Sequence, residues 1–117
     1  MVEDDPAVRR VLTRALVADN FQVLEASNGE EGYEIALKHA LQIDLVITDV
    51  VMPKLGGPEM VRRLVVSFPS VKVIYLSGYV DGGLEASDLD NDRIEFLAKP
   101  YSYTDLKEII SRLMLIN

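Results

Sequence analysis

Residues 44–57 read DLVITDVVMPKLGG. Leu45, Val46 and Ile47 are apolar in succession, so both faces of the segment are buried. That pattern marks a strand in a parallel sheet covered on both sides. The run meets Asp49 and then breaks into a loop carrying Pro53, Gly56 and Gly57. A carboxylate at the carboxyl end of a buried strand is a structural end or a chemical site. A chemical site needs helpers elsewhere in the chain.

Working outward, the apolar period switches repeatedly between strand and helix. On the N-terminal side, Val8, Val11, Leu12, Ala15 and Leu16 fall at helical spacing, with Asp5 as cap and Pro6 in the first turn. FQVLEA (21–26) reads as a strand. SNGEEGYEIALKHAL (27–41) reads as a helix capped by Ser27 or Asn28, with acids in its first turn. On the C-terminal side, PEMVRRLVVSF (58–68) is a helix and VKVIYLS (71–77) a β-branched strand. DGGLEASDLDND (81–92) has poor helix propensity and predicts a short or movable helix. RIEFLA (93–98) is a strand. TDLKEIISRLML (104–115) is a helix with Thr104 as its expected cap.

Strands alternating with helices predict an α/β fold: a flavodoxin-like, doubly wound, five-stranded parallel sheet of order 2-1-3-4-5 with helices on both faces. Length sets the whole of residues 1–117 as one domain. Ligands of such sheets bind beyond the carboxyl ends of the strands, where strand order reverses. Here that point lies between the first and third strands. Glu3 and Asp4 end the first and Asp49 ends the third, so three carboxylates converge there. Ser77 ends the fourth strand, and Lys99 follows the fifth at the same rim.

Composition narrows the chemistry. There is no Cys, which excludes disulfides, thiolate catalysis and Cys-based zinc sites and fits a cytoplasmic setting. The net charge of −7 argues against nucleic acid as a direct partner. No apolar run reaches membrane-spanning length in this segment. Crowded carboxylates require a cation, and an all-oxygen set favours a hard divalent ion such as Mg²⁺, with Mn²⁺ or Ca²⁺ as substitutes. An Asp carboxylate can attack phosphorus to give an aspartyl-phosphate, with the metal and a Lys neutralising the transferring group.

As a set, EDD, TDVVMP, LSG and AKP resemble the motifs of the response-regulator receiver domain of two-component signalling. The resemblance covers essentially the whole chain. It implies Asp49 as phosphoacceptor, with Glu3, Asp4, Asp49 and the main-chain carbonyl of Val51 as metal ligands. It implies Ser77 as the switch hydroxyl, Lys99 as the phosphate-binding cation, Phe96 as the aromatic switch and a cis peptide before Pro100. A histidine kinase or histidine phosphotransfer protein would be the phosphoryl donor. The surface of the fourth helix, fifth strand and fifth helix would then change partner binding, including a phosphorylation-dependent dimer. The domain would not be an enzyme on a separate substrate, although it would catalyse its own phosphorylation and slow dephosphorylation. MPKLGGPEM and LSGY are similar to receivers fused to hybrid histidine kinases.

Two features depart from the pattern. Only Met1 and Val2 precede Glu3, far short of a normal strand of about five residues. The expectation is that further residues precede Met1. The positions flanking the phosphate are Val51 and Tyr79, neither able to orient a water, which predicts slow hydrolysis of the acyl phosphate. Val51 also stands where an Asp-nucleophile phosphatase of the haloacid-dehalogenase type would need a second Asp. An FMN module would need a Ser/Thr/Gly-rich loop where EDDPAVRR stands. A phosphorylation-independent pseudo-receiver is the remaining alternative, and the complete set of site residues weighs against it.

Overall fold

The computed structural model describes residues 1–78 and 84–116. Its helices are α1 (Pro6–Ala18), α2 (Gly29–Lys38), α3 (Gly57–Ser67) and α4 (Tyr103–Met114), and its strands are β1 (Val46–Asp49), β2 (Val73–Ser77) and β3 (Ile94–Ala98). Local chemistry sets the helix ends. The Asp5 carboxylate accepts from the Ala7 and Val8 N–H groups, and Asn28 does the same for Glu31. At the far end of α1, Asn20 adopts φ 70°. Its N–H donates to Val17 O and that of Phe21 to Leu16 O. This left-handed closure satisfies carbonyls that the helix leaves open. The cap of α4 is Ser102 rather than Thr104: its hydroxyl accepts from Asp105 N–H while the Asp105 carboxylate accepts from Ser102 N–H. A reciprocal pair satisfies two open donors where Thr104 would satisfy one.

The strands β1, β2 and β3 pair in parallel, in that order. Val2 extends the sheet on the free side of β1, bridging Thr48 and Ala26, both in parallel. The lateral order Ala26–Val2–β1–β2–β3 is the expected 2-1-3-4-5. The elements at Val2 and Ala26 are single bridges rather than full strands. Phe21–Ala26 is not a continuous strand, because Ala26 alone finds a bridge partner. A strand exists only as far as its neighbour pairs with it.

Alternation divides the core between the two faces. Val73 and Tyr75 join Ala36, Met60, Val61 and Leu64 beneath α2 and α3. Ile74 and Leu76 join Leu12, Leu16, Leu106, Ile110 and Leu113 beneath α1 and α4. This two-sided cover makes β1 and β2 buried throughout. No helix among the described residues is long and apolar enough to cross a membrane.

The expected helix over 81–92 is, in its described part, a single 3₁₀ turn at Ala86–Asp88; residues 81–83 lie outside the described residues. Two contacts hold the turn. The Asp88 carboxylate accepts from Glu85 N–H at 2.7 Å and receives the Arg62 guanidinium of α3 at 2.6 and 2.9 Å. Burial is the largest single influence and works to raise the Asp88 pKa, but the Arg62 hydrogen bonds, the Glu85 N–H and the Arg62 charge together outweigh it and hold it below the usual carboxylate range. A lowered value contributes stability above the unfolded pKa and loses it as pH falls through the folded one. Asp88→Asn is therefore expected to destabilise the domain by about 1–2 kcal/mol at pH 7, after allowance for the half-exposed Arg62. That deficit should shrink toward zero below pH 3.8, the ordinary value. Urea unfolding at both pH values checks it.

Candidate functional site: an acidic rim with one lysine

The site lies at the carboxyl ends of the strands. Asp49 closes β1 and is 5% exposed; Glu3, one residue past the Val2 bridge, is 2% exposed. Asp4 stands beside them in solvent. Carboxylate oxygens of the three lie within 4.8 Å of one another. Ser77, also buried, closes β2 next to β1. Lys99 follows β3 and donates its backbone N–H to Ser77 O at 2.8 Å, which ties the two strand ends together. The Lys99–Pro100 peptide is cis.

Electrostatics follow from this crowding. Lys99 Nζ lies 3.0 Å from Asp49 Oδ1 and 4.0 Å from Glu3 Oε1. Burial acts to lower the Lys99 pKa, but the two carboxylates outweigh it and raise the value overall. Glu3 is pushed up to about 8, first by burial and then by the neighbouring Asp49. Asp49 Oδ1 is buried and, despite the Lys99 ammonium nearby, has no hydrogen bond aimed at it. The contact is thus an ion pair without hydrogen-bond alignment. One Lys does not balance three acids, and a second cation fits the remaining oxygens. The donor set is entirely hard oxygen, suited to a divalent ion that keeps several waters. The Val51 carbonyl, in the loop after Asp49, accepts no hydrogen bond among the described residues.

The comparisons with known proteins agree with this geometry. The family description "Response regulator receiver domain" matches residues 1–111. The chain belongs to this family. Sensor kinase CckA of Brucella abortus (strain 2308) is 34% identical over 114 residues, 97% of the chain; the chain spans only 12% of that kinase's length. The crystal structure of the receiver domain from hybrid histidine kinase CckA is 37% identical, with a TM-score of 0.78, covering 96% of this chain and 94% of that one. The structure of response regulator TrrA from Thermotoga maritima, solved in complex with Mg²⁺–BeF, is 30% identical, with a TM-score of 0.77 and coverage of 96% and 94%. The domain is therefore a phosphoacceptor switch of two-component signalling, and receivers as a family bind Mg²⁺.

Of the residues picked from the receiver's sequence, Glu3, Asp4, Asp49 and Lys99 meet at one point. Ser77 stands at the adjoining strand end. Phe96 lies in β3 opposite Tyr75, partly buried against the α2–α3 core. Tyr79 lies outside the described residues. His39 closes α2 and contacts Gln42, as a helix-end residue does. Tyr103 is half-buried, and its hydroxyl donates to Asp19 Oδ2 at 2.7 Å.

Two supporting residues emerge only from the structure. The Arg9 guanidinium donates to the Glu3 carbonyl at 2.6 Å, fixing the acidic turn from the first turn of α1. Its sequence signal is a cation soon after the acids, indistinguishable from an ordinary surface Arg. Gly57 starts α3 against the end of β1, where a Cβ would collide with the Asp49 carbonyl. The Gly-Gly pair of the loop carries that signal, but in sequence it looks like any turn.

Proposed function

We propose that Asp49 is the phosphoacceptor of this receiver, and that Glu3, Asp4, Asp49 and the Val51 carbonyl hold a Mg²⁺ or Mn²⁺ ion beside it. The observation that carries the reading is the buried Asp49 oxygen, flanked by two acids and one Lys. When bound, the ion supplies charge neutralisation for the transferring phosphoryl group. Asp49 attacks phosphorus in line. The P–N bond of a phosphohistidine breaks, its electron pair returns to the imidazole, and an acyl phosphate forms at Asp49. Lys99 shifts from the carboxylate to a phosphoryl oxygen, and the Ser77 hydroxyl donates to another. Phe96 then repacks beside β2 as Ser77 moves, changing the surface around the Ala86–Asp88 turn, β3 and α4.

The donor on this reading is a histidine kinase or histidine phosphotransfer protein, as in the hybrid kinase to which the chain is similar. The readout is altered binding of a protein partner or a second copy. The direct test is incubation with acetyl phosphate. The expected product carries one phosphoryl group, forms only with Mg²⁺ or Mn²⁺, and is abolished by EDTA. Beryllofluoride with Mg²⁺ should shift the amide resonances of Ser77 and Lys99. Labelling that is indifferent to EDTA defeats the proposed metal role.

Val51 has a further consequence. Its exposed isopropyl group cannot orient water against the acyl phosphate. Val51→Asn is expected to speed hydrolysis at least about tenfold, by placing a water-orienting amide at the phosphate. Decay followed by intact mass checks it; an unchanged or slower rate refutes the role given to Val51.

A further inference from the structure

The phenol of Tyr75 is fully buried in the core beneath α2 and α3. Its hydroxyl has no hydrogen-bond partner among the described residues. Buried Tyr hydroxyls ordinarily find one. Tyr103 shows the usual case, donating to both Ala15 O and Asp19 Oδ2. A Phe at position 75 would fill the same core without burying an unpaired donor. The hydroxyl therefore costs stability in this arrangement.

Its place in the sheet is specific. Tyr75 stands two residues before Ser77 on β2, so the two side chains share one face. Phe96 is its cross-strand neighbour on β3. The Arg62–Asp88 ion pair is close by. Burial is the main cause raising the phenol pKa; the Asp88 charge adds to it and the Arg62 charge opposes it, so both reach the ring. Asp88 can also take another donor. Its Oδ1 accepts from Arg62 Nε at 2.9 Å, and a carboxylate oxygen has two lone pairs.

We propose that Tyr75 is a positioning residue that biases the switch: its hydroxyl is unpaired in the unphosphorylated arrangement and donates to Asp88 Oδ1 once Phe96 repacks and the Ala86–Asp88 turn shifts toward β2. A donor paired in only one of two states favours that state. The buried hydroxyl thus lowers the cost of leaving the unphosphorylated form. The inference rests on Asp49 as acceptor, because the phosphoryl group there is what draws Ser77 and frees Phe96 to move.

The test is Tyr75→Phe, which removes the hydroxyl and keeps the ring. Without the unpaired donor, Tm is expected to rise by about 4 °C in the absence of beryllofluoride. At fixed Mg²⁺, the variant should need about five times more beryllofluoride to half-saturate the shifts of the Ser77 and Lys99 amides. A hydroxyl that is only a packing defect would raise Tm and leave that concentration unchanged. An unchanged or lower beryllofluoride requirement, or a lower Tm, overturns the proposal. In an Asp88→Ala background, Tyr75→Phe should change the requirement less than about twofold; a persistent fivefold effect overturns Asp88 as the acceptor. A parent protein that binds no beryllofluoride would sink the Asp49 reading. A parent and a variant that bind it equally sink the Tyr75 inference alone.

Discussion

Asp49→Asn is expected to abolish phosphoryl uptake from acetyl phosphate completely while the domain stays folded. Asn matches Asp in size and lacks the anionic oxygen that attacks phosphorus. Because one nucleophile is removed, intact mass should show no adduct at any Mg²⁺ concentration. Asp4→Asn provides the graded contrast. Asp4 is exposed and, on the proposed reading, would supply an oxygen to the cation rather than to phosphorus. Its loss should raise the Mg²⁺ concentration needed for labelling and leave labelling attainable. The Asp49→Asn substitution should also lower the Glu3 pKa from about 8 without restoring its ordinary 4.5, because burial is the larger cause and persists. Continued labelling of the Asp49→Asn protein would place the acceptor at another residue and end the assignment.

Gly57→Ala is expected to destabilise the domain by about 2–3 kcal/mol, a fall of roughly 10 °C in Tm. Propensity alone predicts the opposite, since Ala is better than Gly in a helix by about 1 kcal/mol. The clash decides the sign. The added Cβ would collide with the Asp49 carbonyl and stand 3.2 Å from Thr48 Oγ1. Both neighbours belong to a buried strand end, and neither is a flexible side-chain tip. The Gly57 N–H also donates to Val50 O at 2.9 Å, so α3 cannot pivot away without losing that bond. Displacing the end of β1 displaces Asp49, the proposed acceptor, and phosphoryl uptake should slow about tenfold. Gly78→Ala is the control: a Cβ there meets nothing within 4 Å, and its stability should stay within about 0.5 kcal/mol of the parent. A Gly57→Ala protein as stable as the parent would show that the end of β1 yields easily.

Much of the molecule was legible from residues in order. The alternation of helical and strand periods defined a parallel sheet with two-sided cover. That topology alone placed Glu3, Asp4, Asp49, Ser77 and Lys99 on one rim, because parallel strands all end on the same side. The helix start at Asp5, and that at Ser27 or Asn28, were readable because capping is a local interaction between a side chain and the N–H groups just after it; the structure selects Asn28.

Other features depended on residues far apart in sequence. The extent of pairing at Phe21–Ala26 is set by the neighbouring strand rather than by its own β propensity. The cap of α4 passed to Ser102 because Asp105 reciprocates. Arg62 and Asp88, 26 positions apart, anchor a segment whose composition alone promised only a weak helix. Gly57 is required by a carbonyl that approaches it in space. Chain order determined which groups this receiver owns and which rim they share. Tertiary packing decided which oxygen is buried and which cation stands 3.0 Å from it. Burial and charge pairing depend on what arrives from elsewhere in the fold.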